Sequence, residues 1–124
     1  MSSKEFETLE KIVYDNDLEA LKEALKNGMN VDFQNEHGWT PLHMAIRRDR
    51  RDMVAYLVEQ GADIDKVDGV GWTPLMEAVM DDMPELCAFL LEKGADASIV
   101  NKRGGSAPML VKKFGRTSMD GLFS

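Results

Sequence analysis

Two histidines and one cysteine are the chain's whole stock of the side chains that most often move protons or attack carbon near neutral pH. His37 and His43 frame the stretch "HGWTPLH", and Cys87 stands far from both along the chain. No Ser/His/Asp or Cys/His set assembles from these positions into a nucleophile with its oriented base. Cys87 falls with Leu86, Leu90 and Leu91 on an apolar face at helical spacing, where a thiol is inert. The carboxylate pair Asp81–Asp82 lies at a helix end and reads as solvated. "DIDKVDG" at 63–69 lacks the ligand positions and closing glutamate of a calcium loop. "GVG" at 69–71 follows no strand, so it reads as a turn and not as a phosphate cradle. An enzyme reading would need a titrating His37 and a hydrolysable substrate, and neither is indicated. The expectation is a protein with no catalytic residue, no metal and no cofactor.

Recognition chemistry is better supplied. The only two tryptophans, Trp39 and Trp72, sit in two copies of "GWTPL". Placed side by side, roughly 10 Å apart by helix-layer spacing, they would form the kind of paired aromatic anchor that dominates binding hot spots. The alternative is that each ring folds onto its own connector and stabilises it. "RRDRRD" at 47–52 puts four arginines in six residues. It could be a basic patch for phosphate or acidic peptides. The plainer reading turns Arg47 and Arg48 into a groove and leaves Arg50 and Arg51 on the far, solvated side, paired weakly with Asp49 and Asp52.

The elements that position these residues follow from a period of 33. Gly28, Gly61 and Gly94 keep that spacing, as do Gly38, Gly71 and Gly104, and Thr40, Thr73 and Ser106. In each full period a threonine N-cap and a proline at the first helical position open a helix of about two turns. Leu42, Ala45 and Ile46 give its apolar face, matched by Leu75, Ala78 and Val79. Asn16, Asp49, Asp82 and Gly115 occupy equivalent positions, and these are residue types that tolerate the left-handed conformation ending a helix. A second helix starts near Asp52 or Glu85, buries Met53, Val54, Leu57 and Val58 or Leu86, Cys87, Leu90 and Leu91, and stops at Gly61 or Gly94. The polar stretch that follows predicts an extended, hairpin-like connector. One such pair cannot bury its own face, so neighbours must stack.

"GWTPLHMAI…VAYLVEQGADID" and "GWTPLMEAV…CAFLLEKGADAS" resemble ankyrin repeats, whose signature runs from T-P-L-H-x-A to G-A-D. The resemblance implies an all-α solenoid of stacked helix pairs with β-hairpin-like connectors, in one domain over 1–124. Residues 35–67 and 68–100 are full repeats, 4–34 a degenerate first one and 101–124 a truncated cap, with its proline shifted to Pro108 and a short apolar seal from Met119, Leu122 and Phe123. It implies that His43 braces the backbone of an adjoining repeat; Met76 replaces it in the next copy. It also implies protein binding through connector tips and first helices. The positions singled out there are Trp39, Trp72, Tyr14, Glu36, His37, Arg47, Arg48, Val70, Met80 and Asp81, an apolar stripe rimmed by charge.

Charge points to the kind of partner. The net charge is −7, but residues 1–101 hold 21 acids against 10 bases and residues 102–124 hold 5 bases against 1 acid. An acidic body disfavours nucleic acid and favours fast encounter with a basic protein; the same acidity also serves solubility. No apolar run is long enough to span a membrane, and the N-terminal stretch lacks a signal-peptide layout. One cysteine fits a reducing, cytoplasmic setting. Small free-standing proteins of the resembled family include bacterial immunity proteins that block a toxin. The reading is therefore a monomeric recognition module that neutralises a basic partner, with an adaptor that recruits an enzyme as the alternative. The irregular ends and nine methionines argue against a consensus-designed binder.

Overall fold

The computed structural model describes residues 3–123, with side chains from Phe6 onward. Among them are seven α-helices and no strand: α1 (Ser3–Tyr14), α2 (Leu18–Lys26), α3 (Pro41–Arg47), α4 (Arg51–Glu59), α5 (Pro74–Met80), α6 (Pro84–Glu92) and α7 (Ala107–Lys113), followed by one 3-10 turn, Thr117–Met119. The chain divides into two compact units, the first ending at Asp63 and the second starting at Ile64. In the first, α1 packs on α2 and α3, and α4 packs on α3 and α2. In the second, α5 packs on α6 and α7, and the 3-10 turn closes against α6 and α7.

Helices of seven to nine residues are too short to persist alone, so their ends are held explicitly. Thr40 Oγ1 accepts from the His43 backbone N–H at 3.2 Å, and Thr73 Oγ1 accepts from Met76 at 3.1 Å, each with proline at the first helical position. Every helix from α1 to α7 ends the same way. After α3, Asp49 N–H bonds to Ile46 C=O and Arg50 N–H to Ala45 C=O, the pair of bonds of a Schellman motif. The pivot residue has positive φ: 53° at Asn16, 55° at Asp49 and Asp82, 62° at Gly115, as its sequence type predicts.

The predicted apolar faces are buried. Leu42, Ala45, Ile46, Met53, Val54 and Leu57 have no more than traces of exposure, as do Leu75, Ala78, Val79, Cys87 and Leu90, while Val58 and Leu91 are half-buried. Each large apolar side chain so buried is worth about 1.5–3 kcal/mol. Met119 is buried, with Leu122 and Phe123 half-buried beside it in sequence, consistent with a terminal seal.

The connectors are hairpin-like only at their tips. Asn35 N–H bonds to Trp39 C=O, and Asn35 Oδ1 accepts from the N–H groups of His37 and Trp39. Asp68 does the same for Val70 and Trp72, and Asn101 for Arg103 and Gly105. Lower down, Asp32 accepts from Asp63 N–H in the first unit and Asp65 from Asp96 N–H in the second, tying successive connectors together.

Candidate functional site

In the first unit, four of the predicted site residues converge. Tyr14 from α1, Trp39 from the connector tip, and Arg47 and Arg48 at the end of α3 line one groove of about 820 Å³. Glu7, Glu10, Lys11 and Val13 from α1, Asp15 just after it, and Met44 from α3 complete its walls. The Arg47 guanidinium lies 4.2 Å from the Trp39 ring centre, and that of Arg48 lies 4.9 Å from the Tyr14 ring centre. Both distances place a cation over an aromatic face. His37 stacks at 4.7 Å against Trp39, and Glu36 lies 3.7 Å from the His37 ring. Trp39 is thus half-buried within a small stack of its own unit, while Tyr14 stays 59% exposed.

The arginine run departs from the solvated-face expectation. Arg50 is not left on a bare far side. Its Nε donates to Val13 C=O at 3.1 Å and its terminal nitrogen to Tyr14 C=O at 2.6 Å, capping the carbonyl end of α1. Arg51 pairs with Asp49 at 3.0 Å. The same segment that stacks on the Tyr14 ring through Arg48 therefore also pins the Tyr14 backbone through Arg50. Arg116 repeats the device in the second unit, donating to Met80 C=O at 2.9 Å. The sequence signal was a shared register 66 residues apart, hidden because position 83 between them is methionine.

The remaining predicted positions lie in the second unit. Val70 is 57% exposed at the connector tip, Trp72 is half-buried at the tip's base, Met80 is half-buried at the end of α5, and Asp81 is exposed just after it. Their connector is tightly held. Lys102 N–H bonds to Val70 C=O, Lys102 Nζ to Gly69 C=O at 2.7 Å, and a Cβ on Gly71 would stand 3.0 Å from Lys102 N. At φ +83° and with that neighbour, position 71 requires glycine.

Of the three side chains most suited to chemistry, His37 is exposed and the other two are enclosed. His43 is fully buried, and its Nδ1 accepts from the Thr40 N–H at 3.2 Å and lies 2.8 Å from the Thr40 hydroxyl. These bonds brace the cap of its own helix, α3. Burial, and secondarily the charge of Asp82, pushes the Cys87 thiol up to about 12. Asp96, by contrast, is held below the usual carboxylate range by hydrogen bonds from the Ser98 hydroxyl and N–H. Among the described residues no cluster of three His, Cys, Asp or Glu could hold a metal ion, and no helix is long and apolar enough to cross a membrane.

Sequence comparison agrees with this architecture. The family described as ankyrin repeats matches residues 9–101, as three copies. The 2-5A-dependent ribonuclease of Homo sapiens is 43% identical over 49 residues, which is 39% of this chain and 7% of that protein. The potassium channel AKT2/3 of Arabidopsis thaliana is 45% identical over 42 residues, 34% of this chain and 5% of that protein. The chain thus spans less than a tenth of the length of these curated relatives.

Proposed function

Because the chain belongs to the ankyrin-repeat family, whose repeats bind other proteins, we propose that it is a non-catalytic recognition module that holds a basic protein partner and blocks it, as an inhibitor of a toxin would. The observation that carries this reading is the groove in the first unit. Two aromatic rings, each under a guanidinium, supply rigid contact area at low entropic cost. Charges of both signs line the groove, Glu7, Glu10 and Asp15 against Lys11, Arg47 and Arg48, so the field that draws a basic partner in comes from the 21 acids that residues 1–101 hold against 10 bases. Val70, Trp72, Met80 and Asp81 are the second unit's own candidate contact residues.

A second reading, an adaptor that recruits an enzyme, is favoured by one observation. In both relatives the matched segment is a small part of a far longer protein. The test is a pull-down from the native host with tagged protein, run beside Tyr14→Ala/Trp39→Ala and Trp72→Ala variants checked for helicity. One stoichiometric basic partner, lost with Tyr14→Ala/Trp39→Ala, supports the inhibitor. A partner set of several enzymes lost together favours the adaptor. Unchanged capture by every variant would remove the aromatic site altogether.

A further inference from the structure

The second unit carries a surface unlike the rest of the protein. From residue 102 to 116 there are five cations and no acid. Two are engaged internally, Lys102 with Gly69 C=O and Arg116 with Met80 C=O. Arg103, Lys112 and Lys113 are exposed. On α7, Met109, Lys112 and Lys113 stand at i, i+3 and i+4 and so share one face, and Phe114 follows at the C-cap with Lys113 Nζ 5.5 Å from its ring centre.

The 33-residue register shows what this face is. One period earlier, the position of Met109 is Met76, 1% exposed, and that of Lys112 is Val79, fully buried. Met109 is 56% exposed and Phe114 44%. The other side of α7 is sealed by Ala107 and Leu110, with Met119 buried in the turn packed against it. Solubility alone does not account for the pattern. Met109, exposed one turn before the two lysines, and Phe114, exposed directly after them, put apolar surface on both sides of the positive charge.

We infer that the Met109–Phe114 face of α7 is a second docking surface, for an acidic segment of another protein that presents an apolar side chain among its carboxylates. Met109 receives the apolar side chain, Lys112 and Lys113 on its face meet the carboxylates, and Phe114 flanks Lys113 at the helix end. This goes beyond the groove, which belongs to the first unit and whose lining carries charges of both signs.

The probe is a fluorescein-labelled peptide of repeating Glu-Glu-Leu, with Glu-Glu-Ser as its control, titrated by anisotropy against the full chain. Glu-Glu-Leu should bind more tightly than Glu-Glu-Ser. Lys112→Glu/Lys113→Glu should weaken it by about tenfold or more, and Met109→Ser by about fivefold; all three sites are exposed, so folding is retained, as circular dichroism would verify. Trp39→Ala in the groove should leave it unchanged, which separates a failure here from a failure of the groove. Absent binding, equal binding of the two peptides, or indifference to the lysine reversal would overturn the assignment. So would self-association of the chain, seen by sedimentation and abolished by the reversal, since the occupant would then be a second copy.

Discussion

Arg50 shows how one side chain sets the geometry of a site it does not line. It follows the left-handed Asp49, closes the end of α3 through its own N–H, and reaches back to the last carbonyls of α1. Truncation to alanine leaves two helix-end carbonyls without their charged donor. Arg50→Ala should therefore cost about 1.5–3 kcal/mol, read as a lower urea midpoint, and should loosen Tyr14 in the groove. Lysine should not restore it fully, because a single ammonium lacks the planar fork that serves two carbonyls at once. Cys87 gives a second prediction. With its folded-state pKa raised from about 9 to about 12, the native state keeps its proton where the unfolded chain has lost it. Its contribution is present below pH 9 and is lost as pH rises towards 12, at up to about 1.4 kcal/mol per pH unit. Cys87→Ala should flatten the stability profile over that window relative to the parent, and the native thiol should resist iodoacetamide at pH 8 until the chain unfolds. Equal alkaline slopes for the two proteins would contradict the burial argument.

At the scale of the element, the termini explain more than the propensities. Each helix stops at a left-handed residue, and after the first helices of the pairs, α1, α3, α5 and α7, that residue is Asn or Asp three times and Gly once. Asn16, at φ 53°, makes the cleanest test because no charge is involved. Asn16→Gly should be neutral or stabilising, and Asn16→Ala should lose about 1 kcal/mol in thermal or urea unfolding; an alanine variant as stable as the parent would mean the motif is not held by this residue. The connector tips make a parallel case. Asp68→Ala removes the acceptor of two N–H groups and should cost about 1–3 kcal/mol, with greater mobility of Trp72 visible in its fluorescence anisotropy. Helices, caps, pivots and the buried faces were legible because each depends on residue types within one turn or at one fixed offset. The tip residues Asn35, Asp68 and Asn101 obey that same offset and could have been found by it. The roles of Arg50 and Arg116 could not, since their acceptors are backbone carbonyls 36 and 37 residues away that carry no side-chain signature. Nor could the stacking of Arg47 on Trp39, which needs the helix cap between them to fold the connector back over α3.

For the molecule as a whole, the charge arrangement makes association rate the most telling observable. Exposed carboxylates such as Glu7, Glu10, Glu19, Glu23, Glu85 and Glu92 are spread over α1, α2 and α6, so no single pair dominates and their effect on a distant partner is collective. Such a field acts over many ångströms in dilute buffer and over about 8 Å at physiological ionic strength. A basic partner should therefore lose about tenfold or more in association rate between about 20 and 500 mM salt, with little change in dissociation rate. Variants of the groove should behave in the opposite manner. Trp39→Ala removes a desolvated contact and should speed dissociation while leaving the salt dependence of association intact. Stopped-flow mixing with the captured partner separates the two. A salt-independent association rate would discard the basic partner, and with it the inhibitor reading, while a faster dissociation of Trp39→Ala would still keep the groove as the place of contact.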